Sequence, residues 1–208
     1  SEAKKFLRIY ELYVKEERIF DPSIKAYHND IKINNEALDP ETITILLNKP
    51  SGFICSHNDA GSLIYALIPQ RWNRRNPKIS TIGRLDVDTT GAIILTDDGA
   101  LNHKLSSPKS DVSKVYEATL AVPLKGDEKE IFASGELMLN DEKKPLLPAK
   151  LEVLGETHVR LEICEGKYHQ VKRMFAAVGN RVLTLHRVSF GGFTVEDLKE
   201  GEYKFIEL

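Results

Sequence analysis

The segment that decides the fold is residues 83–96, GRLDVDTTGAIILT, in which a polar loop with a glycine at each end runs directly into an apolar strand. Arg84 stands two residues before Asp86, and in extended chain residues i and i+2 project to the same face. A guanidinium there is expected to keep the Asp86 carboxyl ionised and to offer a binding group for a phosphate. The alternative is an ordinary turn with a surface salt bridge, because Gly and Asp are common turn residues.

The charged residues are unevenly distributed along the chain. The 208 residues include 29 Lys and Arg against 31 Asp and Glu, a formal net charge of −2. Segments 61–84 and 167–187 nevertheless each contain five cations and no acid. This segregation favours a basic face for a polyanion over two solvated charge clusters. The cations are Arg71, Arg74, Arg75, Lys78 and Arg84 in the first segment, and Lys167, Lys172, Arg173, Arg181 and Arg187 in the second.

The composition is that of a globular protein. Hydrophobic residues make up 41% of the chain, enough to bury the core of one large domain or two small ones. Cys55 and Cys164 are far apart and lack metal-ligand spacing, which predicts buried free thiols in a reducing compartment. No stretch is long and apolar enough to span a membrane and no signal peptide is visible, so we expect a cytoplasmic protein.

Hydrophobic periodicity and turn residues predict an α+β fold with a central, mostly antiparallel sheet. Residues 1–20 are interpreted as a short helix or a frayed leader, 21–38 as a turn, a short strand and a turn, and 69–77 as a polar, arginine-rich loop. Strands are predicted at 43–47, 53–56, 92–96, 114–122, 149–154, 158–164, 181–190 and 203–206. Helices are predicted at 62–68, at 98–105 with Ser106-Ser107-Pro108 ending it, at 126–134, and at 169–178 with Gly179-Asn180 as its C-terminal cap.

Three further segments are candidates for chemistry. NKPSG at 48–52 is equally compatible with an ordinary hairpin turn, and the tyrosine of KVY at 114–116 is compatible with core packing. In EGKYHQVKRMF at 165–175 the polar residues His169, Lys172 and Arg173 fall on the first turns of a predicted helix. Such a helix start concentrates donors and positive potential, which suits a phosphate better than a plain solvated face.

Taken together and in order, these motifs resemble those of the RNA pseudouridine synthases, and within them the RsuA-type small-subunit ribosomal enzymes. The resemblance covers about residues 43–206. It implies a catalytic cleft flanked by helices, and isomerisation of uridine to pseudouridine without a cofactor or metal. It also implies a monomeric enzyme whose partner is ribosomal RNA or a pre-ribosomal particle. The motifs are LNKPSG at 47–52, GRLD at 83–86, TTG at 89–91, TDDG at 96–99, KVY at 114–116 and EGKYHQVKRMF at 165–175.

The resemblance also implies roles for individual residues. Asp86 matches the essential aspartate that acts on the uridine ribose, and Tyr116 matches the tyrosine that stacks on the flipped base and helps to move a proton from C5. Lys172 matches the cation that pairs with the aspartate, and Arg84 matches the residue that fills the gap left by the extruded nucleotide or holds its phosphate. Further RNA or substrate contacts are expected from Asn48, Lys49, Arg71, Arg74, Arg75, Thr89, Lys167, His169, Gln170 and Arg173.

The front of the chain departs from the RsuA-type pattern. These enzymes usually open with a small S4 RNA-binding domain, and only its tail is recognisable here. We therefore interpret residues 1–40 as a remnant or truncated S4-like segment with its linker, and 41–208 as the catalytic domain. A 16S ribosomal RNA target is preferred to a 23S target because the segment 167–175 is closer to the 16S enzyme.

Two readings from other classes compete with this one. Asp86, Asp88 and Thr90 fit the Asp-x-Asp-x-Thr pattern of magnesium-dependent haloacid-dehalogenase-like phosphatases, although Gly83-Arg84 interrupts the apolar strand that such a site needs. The basic segments alone would also suit a catalytically silent RNA-binding module. The co-occurrence of Asp86, Tyr116 and Lys172 argues against such a module.

Overall fold

The computed structural model describes residues 2–107 and 110–208, so the predicted helix terminator Pro108 lies outside the described residues. The chain divides into two compact units, Ser1–Ile43 and Thr44–Leu208. Within the described residues no helix is long and apolar enough to cross a lipid bilayer.

The first unit contains a helix and a four-stranded antiparallel sheet with the order β2-β1-β3-β4. Both of its hairpins have two-residue loops, and all four loop residues, at 15–16 and 34–35, have positive φ. Positive φ at both positions matches the twist of the flanking strands. The predicted N-terminal helix is therefore short, because a hairpin follows it. The elements are α1 Glu2–Ile9, β1 Leu12–Val14, β2 Glu17–Ile19, β3 Ile31–Ile33 and β4 Glu36–Ala37.

The second unit contains a nine-stranded sheet whose main path is β13-β5-β7-β11-β8-β10-β9, with β6 beside β7 and β12 beside β11. Among the described pairings between strands of this sheet only β7 with β11 is parallel, which confirms the predicted α+β fold with a mostly antiparallel sheet. The strands are β5 Thr44–Lys49, β6 Ser80–Ile82, β7 Thr90–Thr96, β8 Lys114–Leu120, β9 Lys150–Val153, β10 His158–Ile163, β11 Val182–Phe190, β12 Phe193–Thr194 and β13 Tyr203–Phe205. The helices are α2 Gly99–Ser106, α3 Glu128–Ala133 and α4 Gln170–Ala177.

Strand β7 lies at the centre of the core. From Gly91 to Thr96 every residue is buried, as expected for a strand covered on both faces. Ala92 and Ile94 pack with Leu46 and Phe190 in one hydrophobic cluster. The last residues of the decisive segment therefore anchor the loop that precedes them to the most buried part of the sheet.

The start of helix α2 and the end of helix α4 both show the capping contacts expected from the sequence. The Asp98 carboxylate accepts hydrogen bonds from the backbone N–H groups of Ala100 and Leu101 at the start of α2, as an N-cap residue should. At the end of α4 Gly179 adopts φ 80° and donates to the carbonyl of Ala176. These contacts confirm the predicted cap positions.

The segment between β5 and β6 differs from the prediction. Residues 53–56 form no strand, since Ile54 makes one isolated bridge to Leu63, and the predicted helix at 62–68 is a short 3-10 helix, Ile64–Leu67. The expected arginine-rich loop contains a second 3-10 helix, Gln70–Arg74. Its Trp72 is buried against the rings of Tyr203 and Phe205. One large aromatic side chain thus orders a segment that its polar neighbours suggest is irregular.

Candidate active site

Asp86 lies in the loop between β6 and β7. Gly83 begins the loop with φ 69°, a conformation that glycine adopts without the strain other residues would suffer. The carbonyl of Asp86 accepts the backbone N–H of Thr89 at 3.1 Å, which closes a tight turn. The Asp86 side chain is 28% exposed. The loop therefore presents a partly exposed carboxylate from a fixed turn.

Lys49, the last residue of β5, holds this loop from within the protein. Its side chain is fully buried, so its three N–H donors can only be satisfied by protein groups. Burial lowers the pKa of Lys49, although the charges of Asp88 and Asp86 oppose that effect. The Nζ atom donates to the carbonyl oxygens of Pro50 (3.1 Å), Asp86 (3.1 Å), Val87 (3.2 Å) and Thr89 (2.8 Å).

The start of helix α4 supplies the two side-chain nitrogens that face Asp86. Lys172 Nζ lies 3.3 Å from Asp86 Oδ2, and His169 Nε2 lies 3.2 Å from Asp86 Oδ1. His169 precedes the helix with φ 47° and stacks on the Tyr168 ring, with centroids 3.8 Å apart. Each carboxylate oxygen of Asp86 thus has its own nitrogen partner. The predicted pairing of Lys172 with Asp86 is present in the structure.

Lys172 also binds a second carboxylate, that of Asp88. Its Nζ lies 2.7 and 2.9 Å from the two Asp88 oxygens. The hydrogen bond from Lys172 lowers the pKa of Asp88. Burial alone would lower the pKa of Lys172, but the ion pairs with Asp88 and Asp86 outweigh it and raise that pKa. Lys172 is therefore held as a cation between two carboxylates.

Tyr116 and Arg187 face one another on neighbouring strands. Tyr116 on β8 is 8% exposed and Arg187 on β11 is 2% exposed. Arg187 Nη1 donates to the Tyr116 hydroxyl oxygen at 3.3 Å, and its Nε donates to the Ala92 carbonyl at 2.6 Å. Sequence reasoning placed Arg187 only among the surface cations. Its burial is set by the sheet register, which the local sequence does not show, since Arg187 and the polar Ser189 lie on the same buried face of β11.

The sheet register links this pair to the Asp86 loop. Lys49 pairs with Gly91 across β5 and β7, Gly91 pairs with Arg187 across β7 and β11, and Arg187 pairs with Tyr116 across β11 and β8. A side chain at Gly91 would place its Cβ 2.2 Å from the Arg187 carbonyl oxygen. Glycine is therefore required where this row of residues crosses the centre of the sheet, five positions after Asp86.

Arg84 does not occupy the position that the i and i+2 spacing predicted. It is exposed, and among the described residues the ion-pair partners of Asp86 are Lys172 and His169. The turn at Gly83 and the burial of Leu85 leave Arg84 at the surface. The expected pairing of its guanidinium with Asp86 is absent from the ion pairs of the described residues, because Lys172 and His169 lie against that carboxylate instead. An RNA contact by Arg84 stays a prediction.

Four residues expected to contact RNA are buried in the structure. Asn48 donates to the Leu198 carbonyl, and Gln170 donates to Glu165 and accepts the backbone N–H of Lys167. Lys49 donates to the backbone of the Asp86 loop, and Thr89 is 1% exposed. The four residues are Asn48, Lys49, Thr89 and Gln170.

The remaining predicted RNA contacts fall into two groups. Arg71 and Arg74 are exposed on the second 3-10 helix, as expected of phosphate contacts. The other three side chains are engaged with acids, Arg75 with Asp97 and both Lys167 and Arg173 with Glu142. The described residues contain no group of three or more His, Cys, Asp or Glu side chains that could hold a metal ion.

Comparison with known proteins places this geometry in a family. The family model for RNA pseudouridylate synthase matches residues 43–177. A solved structure described as a pseudouridylate synthase superposes with a TM-score of 0.74 and 41% identity, covering 99% of this chain and 89% of that one. The chain belongs to the RNA pseudouridylate synthase family.

The relatives point to one branch of that family. The chain is 48% identical over 163 residues to ribosomal small subunit pseudouridine synthase A of Escherichia coli (strain K12), covering 76% of this chain and 68% of that protein. It is 42% identical over 209 residues to the enzyme of the same name from Haemophilus influenzae, covering 98% of this chain and 88% of that protein. Both are RsuA-type enzymes, the type predicted from the motifs.

Proposed function

We propose that this chain converts one uridine of small-subunit ribosomal RNA to pseudouridine in the cytoplasm. The observation that carries the proposal is the Asp86 carboxylate, whose loop is held by the buried Lys49 and which Lys172 and His169 face at 3.3 and 3.2 Å. The names of the relatives, which span up to 98% of the chain, support small-subunit RNA as the substrate.

The reaction begins with extrusion of the target nucleotide. A uridine inside a stack cannot be reached, and flipping it out costs a few kcal/mol. Stacking of the base on the Tyr116 ring would offset about 1–3 kcal/mol of that cost. Exposed cations, among them Arg74 on its 3-10 helix and Arg84 in the loop, would hold the flanking phosphates.

Asp86 then acts on the ribose. The Lys172 ammonium and the His169 ring stabilise the ionised carboxylate, which either attacks C1′ or takes a proton from the ribose as the glycosidic bond breaks. The released uracil turns so that C5 faces C1′, and a new bond forms between these two carbons. Loss of the C5 proton completes the replacement of the C1′–N1 bond by the C1′–C5 bond, and we assign the removal of that proton to Tyr116.

The alternative of a magnesium-dependent phosphatase has no support in the geometry. In that class two carboxylates converge on a metal ion, whereas here Lys172 Nζ lies between Asp86 and Asp88. A cation already fixed between the two carboxylates would repel a divalent metal.

The test is to map pseudouridine in RNA incubated with the purified chain. Four substrates should be offered in parallel: small-subunit particles, free 16S RNA, large-subunit particles and free 23S RNA. We expect pseudouridine at a single position of the small-subunit RNA. Modification of the large-subunit RNA instead would assign the chain to that target. Binding of RNA without any pseudouridine would indicate a silent RNA-binding module and would overturn the proposal.

A further inference from the structure

Arg187 is a buried cation at the active-site end of the sheet, and the proposed mechanism assigns it no role. Its guanidinium carbon lies 5.8 Å from the centroid of the Tyr116 ring and 5.0 Å from that of Phe190. Its hydrogen bonds go to the Ala92 carbonyl and the Tyr116 hydroxyl oxygen. The Nη2 atom is buried and has no hydrogen-bond partner among the described residues.

A second strand arginine shows how unusual this environment is. Arg160 on β10 is half exposed and pairs with Glu117 at 2.7 Å and with Glu152 at 3.5 Å. In the described part of the chain no carboxylate forms an ion pair with Arg187. A buried charge without a counter-ion costs several kcal/mol. That cost suggests that the charge at Arg187 stabilises an anion that forms during the reaction.

The Tyr116 hydroxyl oxygen is the side-chain acceptor that the Arg187 guanidinium contacts. A guanidinium can only donate hydrogen bonds, so its contact with Tyr116 uses a lone pair of the phenolic oxygen. Negative charge on an oxygen is stabilised by a fixed cationic donor, more strongly in a buried site than in water. The geometry therefore places a fixed cationic donor against the Tyr116 oxygen.

We propose that Arg187 is a positioning residue of the reaction, which holds the Tyr116 oxygen in place and stabilises its negative charge while that oxygen removes the proton from C5 of the uracil. This inference rests on the proposed function, because it needs pseudouridine formation as the reaction. The register supports it, since Gly91 lets the backbones of β7 and β11 approach closely enough to seat Arg187 between Ala92 and Tyr116.

The proton transfer balances as follows. Tyr116 has lost its hydroxyl proton to solvent beforehand, and after the C1′–C5 bond has formed its phenolate oxygen takes the hydrogen of C5 as a proton. The electron pair of the C5–H bond becomes the C5=C6 double bond. The pair of the N1=C6 bond moves to N1, which takes a proton from solvent. Arg187 remains protonated throughout, and Tyr116 returns its proton to solvent before the next turnover.

The experiment compares Arg187→Met with the wild-type chain on RNA containing ordinary or 5-deuterated uridine. Loss of the cation should slow turnover by about 10²-fold, within the range for impaired general acid–base catalysis. It should also make C5–H cleavage limit the rate, so the ratio of the two substrate rates should rise above the wild-type ratio. Arg187→Lys should restore part of the rate. Arg160→Met, the matched control, should change neither the rate nor the ratio.

A second comparison separates this role from a purely structural one. In a Tyr116→Phe background no phenolic oxygen is present, so Arg187→Met should cause no further loss in single-turnover experiments. An equal loss in both backgrounds, or a loss without a rise in the isotope ratio, would overturn the inference. If Arg187→Met does not fold, Arg187→Lys enters both comparisons in its place. A wild-type chain that forms no pseudouridine would instead refute the proposed function itself.

Discussion

Two lysines hold the Asp86 loop, one from strand β5 and one from helix α4, and they do so in opposite ways. Lys49 is fully buried and donates to four backbone carbonyls. Lys172 is 26% exposed, and its partners among the described residues are the carboxylates of Asp86 and Asp88. The same side chain therefore fixes the path of the backbone in one place and sets the charge of the site in the other. Burial decides between the two roles.

The electrostatic environments follow from this difference. Burial lowers the pKa of Lys49, because the carbonyls replace the hydration of the ammonium only in part. The two carboxylates raise the pKa of Lys172 against the effect of its burial. Removing Lys49 should therefore damage the fold, whereas removing Lys172 should damage the chemistry.

The largest effect is expected at the residue that both lysines serve. Asp86→Asn keeps the shape of the side chain and removes its charge, so pseudouridine formation should fall below detection. The fold should survive because the side chain is partly exposed and Lys172 keeps its contact with Asp88. Pseudouridine mapping and thermal unfolding of the same preparation measure both effects. A variant that retains a substantial part of wild-type activity would remove Asp86 from the chemistry.

Lys49→Met tests whether the buried lysine fixes the path of the Asp86 loop. The change leaves four carbonyl oxygens without this donor, and a buried unsatisfied polar group costs about 1–3 kcal/mol. We expect the free energy of unfolding to fall by about 3 kcal/mol or more, with activity lost because the loop is no longer fixed. Urea denaturation measures the loss. Unchanged stability would show that Lys49 does not fix the loop.

Lys172→Met tests the partly exposed lysine and its proposed role in the chemistry of the site. Its ion pairs are partly solvated, and such pairs contribute about 0–1 kcal/mol to stability, so the unfolding free energy should change little. Turnover should fall by about 10²-fold, because Asp86 loses the ammonium group that faces it in a partly dry site. Lys172→Arg is the matched control and should retain more activity. A stability loss as large as that of Lys49→Met would erase the distinction between the two lysines.

Most of the fold could be predicted from local sequence. The hairpin of β9 with β10, helix α4 and its Gly179 cap follow from alternation, helical spacing and one turn residue. These signals are local, and so they survive without knowledge of the tertiary structure. The segment at 53–74 could not be predicted, because its order depends on Trp72 packing against residues more than a hundred positions away.

The candidate site was predictable only in part for the same reason. Asp86 and Lys172 lie in recognisable motifs, and their pairing follows from the family resemblance. The position of Arg84 relative to Asp86 could not be predicted, because spacing along the chain cannot show which way a loop turns. Arg187 was missed because its burial depends on the sheet register, in which β7 and β11 are distant in sequence and parallel.

The smallest effect is expected at Asp88, which binds Lys172 at 2.7 Å and is 65% exposed. Asp88→Asn removes the shorter of the two ion pairs of Lys172 and leaves that lysine to Asp86 alone. The loss of stability at neutral pH should stay within about 1 kcal/mol, since the pair is solvated. Turnover should change less than in Lys172→Met, because the cation beside Asp86 remains.

The pH dependence of this small difference identifies its origin. The hydrogen bond from Lys172 lowers the pKa of Asp88 from its ordinary value of 3.8. A carboxyl whose pKa is lower in the folded state stabilises the fold above its unfolded pKa, and that contribution disappears as the pH falls through the folded pKa. The stability gap between wild type and Asp88→Asn should therefore be constant above pH 3.8 and close below it. Urea denaturation across that range measures the gap. A stability gap that persists at the lowest pH would show that the gap comes from the shape of the Asp88 side chain. The contrast between Lys172 and Lys49 would then no longer rest on charge.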